Sequence, residues 1–290
     1  MLVKLFFGLI FFWTCATPID SNPSSISNSL SSLDKENQLE VVTWNIENFP
    51  KNGNNTIDSV ASIINSLNAD IYCLQEVSNE ASLLLLMTRL ENYKYIFSTE
   101  TEYLNLAIIY KQSSILFNES SSLFLDNSYE FASRPPLQAN FTFLKNGGTN
   151  FTLINLHLKC CDSGFDRRVA SVQILYNYLN TIRESGYKNH IVVGDWNDDV
   201  SDQSAFNSFN SFLDDSSNYK FVTFELANSK SNLFDSYPSY PSFIDHILIT
   251  NDLFDDYENS KVQTLRLGDY ISNYDELISD HRPVVWSVEL

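Results

Sequence analysis

Five short polar segments end or interrupt apolar runs in this chain, and they are scattered over more than two hundred residues. They read Thr43-Trp44-Asn45-Ile46-Glu47-Asn48, Leu74-Gln75-Glu76-Val77, Asn155-Leu156-His157-Leu158-Lys159, Gly194-Asp195-Trp196-Asn197-Asp198 and Ser279-Asp280-His281-Arg282-Pro283. Four of the five adjoin β-branched, apolar stretches, so each polar tip falls at the end of a predicted strand. Asn, Glu, His and Asp are costly at the edge of a core unless they are paired. Any fold available to the chain must therefore bring these ends to one polar place.

The rest of the pattern is that of alternating short strands and a few helices. Strands are expected at 39–46, 71–77, 93–98, 104–110, 114–117, 137–144, 151–158, 191–193, 243–249, 261–266 and 283–289. Helical spacing runs over 56–68, 81–90, 166–183 and near 203–212. In the longest helix Val169, Val172, Leu175, Tyr176 and Leu179 are expected on one apolar stripe. Many strands, few helices, no repeated βα rhythm and no internal repeat favour an α+β layered sandwich. With 290 residues, 43% hydrophobic, and 21 Phe and 15 Tyr, the core is well supplied. No linker-like stretch separates the five segments, so one domain over 39–290 is expected.

The first residues read differently. Lys4 followed by the nine-residue apolar run Leu5–Trp13 reads as an export signal over 1–16, too short for a bilayer span of about twenty residues. Cleavage after Ala16 is one outcome; acylation at Cys15, giving a lipid anchor, is the alternative. Residues 17–38, rich in Ser and Asn, read as a flexible tether. The expected location is secreted, extracellular or periplasmic, with no integral membrane span. The cysteines left after cleavage, Cys73, Cys160 and Cys161, are odd in number, so a disulfide framework is not the architecture. Cys160 and Cys161 could pair only through a strained eight-membered ring, and no Cys-x-x-Cys pattern supports zinc.

Each candidate residue has a sharp and a plain reading. Glu76 is a natural ligand for a hard cation, which takes oxygen donors and few of them from protein; plainly it is a solvent-facing carboxylate. Asn45 could ligate, bond a phosphate or cap a turn. Alternation places Asn155, His157 and Lys159 on one face of their strand, opposite Thr152, Ile154, Leu156 and Leu158. Asp195 could orient an attacking water, with Asn197 holding it. Asp245 interrupts the apolar run Phe243–Ile249, and its economical partner is a histidine held in one tautomer, for which Asp280-His281 is the candidate site. Arg134 sits on a Pro-stiffened loop suited to a phosphate, and Arg167 and Arg168 suit either a clamp or surface ion pairs. Asp198 and Asp199 read as solvated charges, His246 as a packed or edge histidine, and His190 as a surface residue.

In order, Trp44-Asn45-Ile46, Gln75-Glu76-Val77, Asn155 to Lys159, Gly194 to Asp198, Ile244-Asp245-His246-Ile247 and Ser279 to Val284 form a specific set. From about Leu39 to Leu290 the chain resembles the endonuclease/exonuclease/phosphatase superfamily, the deoxyribonuclease I-like fold. The resemblance implies an α+β, four-layer αββα sandwich with its site at one edge of the paired sheets. It implies Asn45, Glu76 and Asp280 around Mg²⁺, with Mn²⁺ or Ca²⁺ as alternatives. His157 would meet the phosphate, Asp195 and Asn197 would position or activate water, and Asp245 would pair with His281 as base or phosphorane stabiliser. Arg134 and Asn155 would contact the substrate phosphate.

The implied protein is a secreted, monomeric, metal-dependent phosphodiesterase with nucleic acid, first of all DNA, as substrate. A phospholipid of the sphingomyelin type and a phosphomonoester are the alternatives, and a binding protein on an inactive scaffold is the reading from another class. The net charge of −18 excludes a broad basic footprint for gripping a polyanion, although it suits a site that gathers cations. There are departures from the family. An acidic partner for His157 should come from the segment holding Glu100 and Glu102, small disulfide loops are missing, and the runs Lys159–Asp162 and Ser236–Pro241 mark a secreted microbial subgroup.

Overall fold

The computed structural model describes residues 30–101 and 103–290. The expected export signal, the Cys15 acylation alternative and most of the expected tether lie outside the described residues. Residues 30–38, expected to continue the tether, instead rest on the domain. Leu30 and Leu33 pack against its core, and the Leu33 amide donates to the Leu67 carbonyl at 2.7 Å. The two leucines bury apolar surface there, and Asp34 adds ion pairs to Lys111 and Lys145 at 3.3 Å each.

In chain order the strands are β1 (Leu39–Phe49), β2 (Ile71–Val77), β3 (Tyr93–Phe97), β4 (Asn105–Lys111), β5 (Ile115–Ser122), β6 (Leu137–Phe143), β7 (Thr149–His157), β8 (His190–Asp195), β9 (Tyr219–Phe221), β10 (Asp245–Thr250), β11 (Lys261–Thr264) and β12 (Val284–Val288). They form two six-stranded sheets, ordered β11-β12-β1-β2-β4-β3 and β5-β6-β7-β8-β10-β9. The main helices are α1 (Asn54–Leu67), α2 (Glu80–Met87) and α3 (Phe165–Glu184). Short turns of helix follow at α4 (Asn210–Leu213), α5 (Phe224–Asn228), α6 (Phe254–Tyr257) and α7 (Tyr274–Leu277). The region near 203–212, expected as one helix, holds only a 3₁₀ turn and α4, since Asn207 bonds the backbone of Val200 and Asp202 and breaks it.

Strand alternation builds the layers. Leu39, Val41, Ile71, Cys73 and Ile108 belong to a core shared with Phe141, Leu153, Ile191 and Val193 of the second sheet. Their neighbours Val42, Trp44, Tyr72 and Ile109 face the other way, into a core with Ile57, Val60, Ile64 and Leu67 of α1 and Leu83 and Leu86 of α2. Helix α1 ends at Asn68, whose left-handed backbone (φ 53°) lets its amide reach the Ile64 carbonyl at 2.8 Å. Helix α3 contributes Val172, Leu175 and Leu179, with Tyr176 partly buried beside them. Val169, expected on that stripe, is 40% exposed and lies off it. The result is two mixed sheets with flanking helices, the α+β sandwich expected.

Each sheet has a parallel pair at its centre, β1–β2 in one and β7–β8 in the other. A parallel pair needs a crossover, and α1 and α3 supply them. The sequence shows no βα rhythm because each βαβ unit is flanked by antiparallel strands. Ligand sites in such sheets favour the carboxyl ends of parallel strands. Here Asn45, Glu76, His157 and Asp195 all lie toward those ends.

Candidate active site

Strand register sets one wall of the cleft. His157 pairs with Asp195 across β7–β8, and Asp195 with Asp245 across β8–β10, so the three stand side by side on one face. Two carboxylates directly opposite one another repel. Relief comes from two sources. His281 places Nδ1 2.8 Å from Asp245 Oδ2 and Nε2 3.9 Å from Asp195 Oδ2, while Asn45 Nδ2 donates to Asp195 Oδ2 at 3.0 Å. His157 Nε2 is 3.4 Å from the same Asp195 oxygen and 3.9 Å from Glu76 Oε1.

Close packing fixes how Asp195 is presented. A Cβ on Gly194 would lie 2.0 Å from the Leu156 carbonyl oxygen, so only glycine lets β8 approach β7 here. Asp195 Oδ1 then accepts the Asn197 amide at 2.9 Å, and Asn197, at φ 56°, turns its side chain back to donate to the Leu158 carbonyl.

The opposite wall comes from β1, β2 and the segment before β12. By parity Glu76 belongs with Tyr72 and Leu74 on the helix side of β2. The pairing of β2 with β4 slips between Leu74 and Val77, and Glu76 has φ 64°. Such a bulge re-aims a side chain, and Glu76 Oε1 accepts from Asn45 Nδ2 at 3.2 Å while Oε2 accepts the Asn48 amide at 3.1 Å. Ser279 clamps the last wall. Its hydroxyl donates to the Asn45 carbonyl at 2.6 Å and accepts the His281 amide at 3.0 Å, while Tyr274 donates to the His281 carbonyl at 2.7 Å.

Charge is distributed unevenly over the two histidines. Burial opposes protonation of His281, but the carboxylates of Asp245, Asp195 and Asp280 prevail and raise it to about 10. Burial, aided by the Arg134 cation, holds His157 well below its usual value. At neutral pH the first ring is an imidazolium and the second is neutral. Burial pushes Asp195 up to about 7 against the pull of His281, with the Asp245 carboxylate adding to the rise. Asp280 rises to about 6, chiefly by burial, with the Glu47 and Glu76 carboxylates adding to it.

Asp195, Asp245 and His281 also offer ligating atoms within 4.8 Å of one another. In that trio His281 Nδ1 is already engaged by Asp245 at 2.8 Å, so the ring is not free to ligate a metal through that nitrogen. Glu76 and Asp280, whose carboxylates repel one another with Glu47 adding to it, are oxygen donors that could hold a hard divalent ion. Lys51 compensates only Glu47, through a 2.6 Å ion pair.

Several sequence expectations change. Asn155 is fully buried and spans the sheets, donating to the carbonyls of Leu74 and Ala107 and accepting from Gln75 Nε2 at 2.8 Å. All its bonding capacity toward a phosphate is spent, so it is a structural strut. Asn45, expected as a metal ligand, donates its amide nitrogen to Glu76 and Asp195 and accepts the Glu47 amide on its oxygen, which keeps a second lone pair for a cation. Arg134 is half-buried at the cleft, with Nε and Nη2 on the carbonyls of His157 and Leu158. Arg168 is no clamp: it is buried against Asp198 at 3.1 Å, which also removes Asp198 from the solvated charges. Arg167 lies over the Tyr129 ring.

His246 points away from the cleft, ringed by Phe209, Phe221 and Phe243 and bonded to Thr223. His190, read as a surface residue, is 1% exposed at the start of β8. Among the described residues His157 Nδ1 has no partner; Glu100 is exposed, and Glu102 lies outside the described residues. Two neighbours escaped the sequence reading. Tyr237 sets its ring 4.8 Å from that of His281, and Glu47 accepts the Asp280 amide at 2.9 Å. The Ser-Tyr-Pro run around Tyr237 has no periodicity that could place it, whereas the polarity of Glu47 within its motif was a usable signal.

Paired mixed sheets with an acid–histidine cleft at their edge define a hydrolase of phosphoester bonds built on the deoxyribonuclease I-like sandwich. Residues 42–281 match the model of the Endonuclease/Exonuclease/phosphatase family, and the chain belongs to that family. Truncated TDP2 from Caenorhabditis elegans is similar in structure, with TM-score 0.65 and 18% identity over 87% of this chain and 98% of that one. D. rerio TDP2 complexed with a single-strand DNA product gives 0.66 and 16%, over 87% and 99%. A Bacteroides thetaiotaomicron mannosyl-6-phosphatase gives 0.62 and 19%, over 87% and 100%. Among proteins with curated descriptions, no sequence matches this chain.

Proposed function

We propose that this protein is an exported, Mg²⁺-dependent phosphodiesterase that cuts DNA internally by in-line attack of water. The observation that carries the reading is the placement of the Asp245–His281 pair beside Asp195, with neutral His157 3.4 Å from the same Asp195 carboxylate. Asp195 stands near the pKa a general base needs at neutral pH, and it would take the proton of the attacking water while Asn197 helps hold the nucleophile. His281, kept charged by Asp245, would stabilise the negative charge that grows on the phosphorus oxygens. His157 would meet a non-bridging oxygen, and Arg134 would face the phosphate. A divalent cation held by Glu76 and Asp280 would supply Lewis-acid stabilisation of the phosphate oxygens.

DNA as substrate is supported by the family and by the DNA product bound to the D. rerio neighbour. The acidic surface argues that binding comes from the cleft and its cation rather than from a basic footprint. Export is supported by the apolar run after Lys4. Among the described residues no helix is long and apolar enough to cross a membrane.

The test is a panel of supercoiled plasmid, RNA, sphingomyelin, mannose 6-phosphate and bis-p-nitrophenyl phosphate, each with Mg²⁺ and with EDTA. Nicked plasmid that vanishes with EDTA is the expected result. Choline phosphate release, or phosphate release from the sugar alone, would replace DNA as substrate.

A further inference from the structure

Cys160 and Cys161 lie just past the His157 strand end and take no part in the chemistry above. Their Sγ atoms are 2.8 Å apart, and Lys159 Nζ is 3.4 Å from Cys160 Sγ. Cys161 is exposed and Cys160 half-buried, so a small oxidant can reach both; Cys73 is buried. The chain reverses here through Cys161 at φ 71°. Gly164 closes the turn, where a Cβ would meet Lys159 at 2.8 Å.

The carbonyls of this segment are tied to the site. Arg168 holds those of Lys159 and Cys161 at 2.9 and 2.8 Å. Arg134 holds those of His157 and Leu158, and Asn197 shares the Leu158 carbonyl at 3.1 Å. Cys160 therefore lies two residues beyond the Leu158 carbonyl that Arg134 and Asn197 of the cleft share, so strain at 160–161 has only a short backbone path to the site.

We propose that Cys160 and Cys161 form a redox-responsive vicinal dithiol, which hydroperoxides convert to a reversible disulfide that lowers turnover at the adjacent site. Burial opposes ionisation of Cys160, yet the hydrogen bond from Cys161 and the Lys159 ammonium prevail and lower its pKa, whereas Cys161 is raised. Cys160 is thus the attacking thiolate. It displaces the hydroperoxide O–O bond to form a sulfenic acid, and the leaving alkoxide takes a proton to become an alcohol. The Cys161 sulfur then attacks the Cys160 sulfur, the S–S bond forms, and water leaves with the Cys161 proton. Adjacent Cα atoms are about 3.8 Å apart, below the roughly 4.4 Å that disulfides prefer, so the ring is strained. Strained disulfides are readily reduced, which makes the change reversible.

The experiment exposes the full chain to hydrogen peroxide, alkylates with iodoacetamide and examines the tryptic peptide spanning 160–167 by mass spectrometry. The expected peptide is unalkylated and lighter by two hydrogens, and dithiothreitol restores the alkylated form. Turnover of bis-p-nitrophenyl phosphate should fall several-fold with oxidation and recover on reduction. Cys161→Ser should form no internal disulfide and give a Cys160 sulfenic acid that dimedone traps. Two alkylated cysteines after oxidation, a bond between chains, or a disulfide with unchanged turnover in an active enzyme would each overturn the proposal. The effect on turnover rests on the phosphodiesterase reading and the peptide mass does not. A disulfide in a protein without phosphodiesterase activity counts against that function and in favour of the dithiol.

Discussion

Asp245 Oδ2 and His281 Nδ1, 2.8 Å apart, share a hydrogen bond that joins a strand of one sheet to the segment feeding a strand of the other. Both residues are buried, so the bond sets the charge and the orientation of the ring together. Asp245→Asn preserves the shape and removes the charge. Turnover should drop by about 10²–10⁴-fold with the fold intact by circular dichroism. His281→Ala should lose at least as much. A loss smaller than tenfold in both variants would take His281 out of the reaction.

Divalent cations should stabilise the protein in a pH-dependent way. Asp280 is held up near 6 and Asp195 near 7, each mainly by burial. A carboxyl whose folded pKa is raised binds more protons folded than unfolded, so stability falls as pH rises from about 4 through 6 and 7. A cation at Glu76 and Asp280 replaces the proton on Asp280. In calorimetry the rise in Tm on adding Mg²⁺ should therefore be larger at pH 8 than at pH 5, and the gain in unfolding free energy should be about 2.7 kcal/mol at a hundredfold excess over Kd. Asp280→Asn should remove most of that rise. An equal Mg²⁺ effect at both pH values would count against the carboxylate seat.

Gly194→Ala should be severe despite the small change. The added methyl would meet the Leu156 carbonyl oxygen at 2.0 Å, and the only relief is separation of β7 from β8. A loss of about 3 kcal/mol or more in urea unfolding is expected, with activity falling further because His157 and Asp195 are register partners. Near-native stability would mean that the strands are less closely apposed.

His190 should shape the acid limb of stability. Burial lowers it to about 4, and among the described residues its Nδ1 has no partner. The unfolded chain takes this proton below about 6.5 and the folded chain only near 4. Its contribution is complete above pH 6.5 and is lost as pH falls through that window, by up to about 3 kcal/mol. His190→Phe should flatten the dependence of unfolding free energy between pH 6.5 and 4. An unchanged slope would show that the ring is protonated normally.

Most elements were readable along the chain because alternation and helical spacing are local. β2 begins and ends where its apolar run does, and α3 extends one residue beyond its predicted range at each end. His157, Asp195 and Asp245 were readable as site candidates because each is a polar interruption of a strand. The roles of Asn155 and Arg168 were not. Whether a polar side chain meets substrate or holds the frame depends on which backbone carbonyls lie opposite, and those belong to distant segments. His190 misled for the same reason: a histidine beside Lys188 and Asn189 looks solvated until β8 enters the sheet.

By itself the sequence determined most strands and the three main helices, the polar strand ends and the family to which they belong, since these follow from side-chain periodicity and short motifs. Tertiary structure alone decided which polar groups share a cleft and which way they point. A slipped register at Glu76 turns a helix-facing carboxylate toward the site, and the pairing of β8 with β10 sets two like charges together with His281 between them. Register and bulges are properties of strand pairs, and no single strand encodes them.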